Sequence, residues 1–237
     1  MRLFPSLSPK KLSQTKYTRL LLVLIFLLIS SPFLQNSTSG SIIISITFLS
    51  ALLSIIYTFN LEKATFWIYV SLAVLAFICG VSAQYNLIFN WSESLLLINR
   101  IVYIIFISLA ILVIGKRIFS DQKVGSDTIQ GGICIYLLIG ILWAFFYDIL
   151  FVLDNDSFSG TINSQPNNSL NLFVYYSFTT LTTLGYGDIV PKNYKVMMFY
   201  NLEAIIGQMY SAIVLARLVG LYTAEEMIRT NKITVFL

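Results

Sequence analysis

The 237-residue chain has no histidine, two cysteines and few charges, with Asp, Glu, Lys and Arg together at 11%. Each shortage removes a class of function. Without His the chain lacks the side chain that most often acts as a general base or metal ligand near neutral pH. No nucleophile–base constellation or metal-ligand cluster takes its place, so neither an enzyme nor a bound cofactor is expected. Cys79 and Cys134 both fall in apolar runs, where a small packing residue is expected rather than a disulfide. So little charge does not suit a domain with a water-facing surface, which carries roughly a quarter to a third of charged residues there. What the chain has in abundance is apolar residues, at 57%.

Those residues come in runs. About 20 helical residues cross about 30 Å of hydrocarbon, and six spans are expected: Leu20–Leu34, Ile42–Phe59, Phe66–Ala83, Leu95–Gly115, Gly131–Leu153 and Lys195–Leu221. Asn171–Thr182 is apolar but too short to span, and reads as a helix that enters the membrane and turns back. Cytoplasmic loops collect Lys and Arg. Arg2, Lys10, Lys11, Lys16, Arg19, Lys63, Lys116, Arg117, Lys123, Arg217, Arg229 and Lys232 fall on one side of this layout, while the loops Gln35–Ser41 and Gln84–Ser94 carry none. Both termini are therefore expected in the cytoplasm of a multi-pass plasma-membrane protein, or an inner-membrane one if the host is bacterial. The net charge of +4 reflects that asymmetry, and no nucleic-acid partner is expected. The first apolar run also fits a signal peptide, although its length and the absence of an Ala-x-Ala site favour a retained helix.

Between the last two spans lies TTLTTLGYGDIVP, from Thr179 to Pro191. An extended backbone with its carbonyls aimed inward can replace the hydration shell of K⁺. Aiming successive carbonyls alike requires alternate residues at dihedrals that glycine visits cheaply, which fits Gly185 and Gly187. A Gly-rich string can also be an ordinary turn, but two long apolar segments flank this one. The stretch resembles the selectivity filter of the tetrameric potassium-channel superfamily, whose signature is Thr, an apolar residue, then Gly-Tyr-Gly-Asp. The resemblance covers Gly131–Leu221. It implies that Thr183, Leu184, Gly185, Tyr186 and Gly187 form the ion-binding filter, with K⁺ as the permeant ion. It also implies that Tyr175, Tyr176, Thr179, Thr182 and Asp188 support the filter from behind. One copy per chain implies a homotetramer. Two departures stand out. Leu184 replaces a commoner Val or Ile, and Thr179 stands where some relatives place a glutamate that pairs with the aspartate, which puts filter stability in question.

The inner span reads NLEAIIGQMYSAIVLARLVGLY. Gly207 follows Gly187 at the separation where the superfamily places a gating glycine, with bending or close packing as its two candidate tasks. A step of four adds Ser211, Leu215 and Val219 to one face. That stripe is assigned to the pore, with packing between subunits as the alternative. Asp154 and Asp156 before the re-entrant helix either draw cations to the entrance or are simply solvated.

Six spans with the filter between the fifth and sixth also resemble small bacterial six-span, single-pore channels. The fourth span holds only Arg100, whereas steep voltage sensing uses about 3–4 charges per subunit, so no voltage sensor is expected. Arg100 and Asp148 come at similar depth below the outer surface. Arg100 is expected to pair with Asp148, or failing that with Glu203, or else to snorkel to headgroups. The layout is then a cytoplasmic segment at 1–19, a four-helix peripheral domain with linker at 20–127, a pore domain at 128–221 and a short tail at 222–237. The expected fold is an all-α membrane protein, and its expected partners are itself and membrane lipids. Regulation falls to lipid, pH, tension, voltage acting on the filter, or a separate partner. Two other functions stay open: a pore subunit of a K⁺ uptake transporter, and a non-conducting scaffold. Transporters of related architecture carry four non-identical loops and usually one filter glycine, unlike this chain.

Overall fold

The computed structural model describes residues 16–34, 66–67, 70–71, 73–75, 78, 92–120, 125–162 and 166–235. The regular elements are α1 (Lys16–Leu34), α2 (Ser92–Ser120), α3 (Ser126–Leu153), β1 (Phe158–Gly160), α4 (Pro166–Leu181), β2 (Ile189–Pro191), α5 (Tyr194–Met209), a π-helical stretch (Tyr210–Leu215) and α6 (Ala216–Val235). The described residues between 66 and 78 are helical as well. Among the described residues, three stretches are long and apolar enough to cross a membrane: Leu97–Ser120, Ser126–Leu153 and Tyr194–Ala224. The apolar part of α1, Tyr17–Ser31, is shorter. The expected span Ile42–Phe59 lies outside the described residues, and Phe66–Ala83 is described only in part.

The helix expected over Asn171–Thr182 begins earlier, at Pro166, because a proline at the first helical position loses no intrahelical hydrogen bond. The last helix does not end at Leu221 but runs on to Val235. It runs through the π-helical stretch, whose flanks Met209 and Ala216 both keep right-handed helical dihedrals.

The core forms around α3. Leu20 and Leu24 of α1, Phe106, Ile107, Ala110 and Ile114 of α2, and Cys134, Leu138 and Ile141 of α3 are all nearly inaccessible and share one cluster. Cys134 fills the packing role expected of it. A Cβ on Gly131 would lie 2.9 Å from Ile118 and 3.2 Å from the Tyr17 ring, so the three helices meet closely at this end. At the other end Arg100 of α2 reaches Asp148 of α3, which makes α2 antiparallel to α3. Tyr17 donates its backbone N–H to Asp127 at 3.1 Å, and Asn171 of α4 donates to the Ser31 carbonyl at 3.4 Å. Hence α1 runs parallel to α3. The starts of α1 and α3 and the end of α2 lie on the same side.

A second cluster is mostly aromatic. It joins Trp143, Tyr147 and Phe151 of α3 to Phe158 of β1, Phe173 and Tyr176 of α4, Ile189 of β2 and Val196 of α5. Tyr147 meets Tyr176 edge-on at 5.1 Å, and Phe158 lies 5.0 Å from Phe173. Such ring pairs add about 0.5–1.5 kcal/mol each beyond buried area. β1 and β2 pair antiparallel, with Phe158 opposite Pro191 and Gly160 opposite Ile189. Gly160 has φ +112°, and a Cβ there would lie 1.9 Å from the Asp188 carbonyl oxygen. Only glycine lets the two strands approach so closely.

Candidate functional site

The loop Thr182–Asp188 leaves the C-terminal end of α4 and is fastened to it by its backbone. The Thr179 carbonyl accepts from Leu184 N at 2.8 Å and Gly185 N at 3.1 Å, while the Thr180 carbonyl accepts from Thr183 N at 2.8 Å. Thr182 closes the helix, its hydroxyl donating to the Phe178 carbonyl at 2.6 Å. Beyond that the backbone alternates. Thr183, Gly185 and Gly187 have φ of +57°, +51° and +77°. Thr183 joins the two glycines expected there, despite a cost of roughly 1–2 kcal/mol for an L-residue. The Thr183 hydroxyl explains how: it donates to the Thr182 carbonyl at 2.7 Å and accepts from Gln208 Nε2 at 2.9 Å. Gln208 was not a candidate from sequence, since the four-residue step from Gly207 passes beside it.

Electrostatically the site favours cations. The C-terminal end of α4, with its partial negative charge, faces the loop. Asp188 follows, with the Tyr175 hydroxyl near its carboxylate. The Tyr175 ring stacks nearly parallel on Tyr186 at 6.4 Å. Asp188 also accepts from Ile189 N at 3.1 Å. Thr179 takes no part in holding Asp188, because its hydroxyl turns back to the Tyr176 carbonyl at 2.9 Å. Tyr176 is buried and stacks on Tyr200 at 5.9 Å. The Tyr200 hydroxyl approaches Gly185, lying 3.4 Å from where a Cβ would stand. Tyr176, Thr180, Gly185, Gly187, Asp188 and Tyr200 line a cavity of about 140 Å³ behind the loop. Leu184 and Tyr186 are exposed on a single chain, at 55% and 66%, so Leu184 is not covered by its own chain.

Of the two tasks open to Gly207, close packing is the one observed. It is buried, and a Cβ would fall 2.1 Å from the Leu181 carbonyl oxygen at the end of α4. The single-face stripe through Gly207, Ser211, Leu215 and Val219 is corrected. Gly207 points to α4, Ser211 is exposed with its hydroxyl on the Gly207 carbonyl at 3.1 Å, and Leu215 lies 3.3 Å from where a Gly132 Cβ would be. Val219 is 49% exposed. A step of four keeps to one face only at 3.6 residues per turn, and the π-helical stretch Tyr210–Leu215 inserts extra residues there.

Two buried acids flank the site. Asp148 is inaccessible and ion-paired to Arg100, itself 6% exposed, and it also accepts from Ser169 of α4. Glu203 does not join this pair. It accepts from the Tyr147 hydroxyl at 2.6 Å, and the Ser177 hydroxyl of α4 lies between Glu203 and the Gly140 carbonyl, 2.8 Å from the latter, with one proton to give to either. Thus α2, α3, α4 and α5 are tied by polar groups at two points. Ser169, Ser177 and Tyr147 escaped sequence reasoning because isolated hydroxyls in apolar helices carry no spacing signal. Before the re-entrant helix, Asp156 lies 3.6 Å from Lys192, and Asp154 accepts from Asp156 N at 3.1 Å and from Asn193 at 3.3 Å. Both acids stay exposed to solvent.

Comparisons with curated proteins and with solved structures find no match. Residues 133–224 match a family model described as "Ion channel". That stretch takes in most of α3, the α4–loop unit and the last helix as far as Ala224, so the match falls on helices long and apolar enough to cross a membrane.

Proposed function

We propose that the protein is a homotetrameric K⁺-selective channel, passive and only weakly voltage-dependent, with Thr183–Gly187 as its filter. The observation that carries this reading is the alternation of left-handed residues at Thr183, Gly185 and Gly187, anchored on the Thr179 and Thr180 carbonyls. That alternation turns successive carbonyls toward one line, as replacing a K⁺ hydration shell requires. Four chains around one axis would complete the ring. Polar residues exposed on the inner helix support assembly: Asn201, Gln208 and Ser211 face outward from the single chain, which is costly toward hydrocarbon and favourable toward a wet cavity or a neighbouring subunit. Arg100 is spent in a buried ion pair, so its charge is not free to move with voltage. The plasma membrane, with both termini cytoplasmic, is the location this reading implies.

The test is K⁺ flux from liposomes holding the purified protein alone, compared with Gly187→Ala. The wild type should release K⁺, and the variant should lose nearly all of it because φ +77° strains any residue with a Cβ. Equal flux from both proteins would remove the filter from the account.

A further inference from the structure

A groove of about 320 Å³ lies between α2, α3 and the last helix, away from the loop. Its wall is apolar along Ile111, Leu112 and Phe119 of α2, and Tyr210, Val214 and Leu218 of the last helix. The size is within the range of small-molecule sites, about 300–1,000 Å³. One charged residue, Lys116, is among its lining. A second cation stands at the same place, for the Arg217 guanidinium lies 5.8 Å from the centre of the Phe119 ring. An apolar slot between membrane-length helices, with one cation in its lining and another over one of its rings, has the chemistry of a chain with an anionic head.

We infer that this groove binds an anionic phospholipid of the leaflet at the inner end of α2, one acyl chain lying along Val214 and Tyr210 and the phosphate held by Lys116 and Arg217. The leaflet follows from the fold. Lys116 sits near the end of α2 that lies beside the starts of α1 and α3, the basic side of the chain. The slot is floored by the π-helical stretch, so an occupying chain bears on the segment where the inner helix departs from its regular turn. Tyr210 is fixed there by donating to the Gly132 carbonyl at 2.7 Å. The inference needs a membrane protein but not a K⁺ filter, and its test does not measure conduction.

Native mass spectrometry of the purified full-length protein, offered phosphatidylglycerol or phosphatidylcholine at equal concentration, reads the site directly. Two basic contacts predict a preference for phosphatidylglycerol of about tenfold or more. The double variant Lys116→Gln, Arg217→Gln should lose most of that preference. Val214→Trp, or Leu112→Trp if the first disturbs folding, should lower the adducts of both lipids several-fold while the oligomer mass stays that of the wild type. Equal binding of the two lipids by the wild type would overturn the inference, as would an undiminished preference in the double variant. Efficient disulfide crosslinking between subunits through Leu112→Cys, with Cys79 and Cys134 replaced, would also overturn it by placing a second copy in the groove.

Discussion

α3 and the last helix each carry an apolar stretch long enough to cross a membrane, yet the chain treats them oppositely. Of the most hydrophobic stretch of Ser126–Leu153, 56% is buried by the rest of the chain, against 11% for Tyr194–Ala224. α3 is the post on which α1, α2, α4 and the aromatic cluster are built. The last helix touches that assembly mainly through Val196, Glu203, Gly207 and Leu218 and shows Leu202, Ile205, Met209 and Ile213 outward. Apolar exposure costs nothing in lipid, so those residues alone decide little. Gln208, exposed on the same helix with its amide on Thr183, is more telling. One helix satisfies its polar groups within the chain, and the other presents them beside the loop.

The difference can be broken first from the α3 side, where the largest effects are expected. Arg100→Gln or Asp148→Asn leaves the other member of a buried pair uncompensated and should each cost about 3–5 kcal/mol, read as a drop in thermal midpoint in detergent. The double variant should recover part of the loss, and strictly additive losses would show that the two groups do not depend on each other.

Gly207→Ala tests the narrow contact between the two regions. Its new methyl group meets the Leu181 backbone carbonyl at 2.1 Å, which no side-chain rotation relieves. A loss of about 1–3 kcal/mol is expected. A variant as stable as the wild type would show that α5 shifts freely against α4, and bending would then be the better account of this glycine.

The smallest expected effect is at Tyr175→Phe. It keeps the stack on Tyr186 and removes only the hydroxyl near the Asp188 carboxylate. Flux should decay faster during sustained conduction, with the thermal midpoint nearly unchanged. Unchanged decay would return the support of Asp188 to other groups.

Much of the loop was legible because its chemistry is local. Gly185 and Gly187 are in the left-handed region that a line of carbonyls needs, and no distant residue decides that. The pairing of Arg100 with Asp148 was legible for a different reason: depth along two helices follows from counting residues, and an isolated charge in hydrocarbon needs a partner. What escaped depends on a third element. Thr183 takes its positive φ with Gln208 at its hydroxyl, and Glu203 meets Tyr147 and Ser177 instead of Arg100. The inner-helix stripe failed because six π-helical residues change the number per turn, and such a stretch has no pattern of its own in YSAIVL. The three-residue strands β1 and β2 are too short for alternation to be read.

The central claim is that the loops of four chains, brought together by the face the last helix leaves open, select K⁺ over Na⁺. Its most direct test is the reversal potential of the purified wild-type protein in a planar bilayer with K⁺ on one side and Na⁺ on the other. A current reversing far from zero, toward the K⁺ equilibrium potential, is the predicted result. A current reversing at zero, with Na⁺ passing as readily as K⁺, would contradict it.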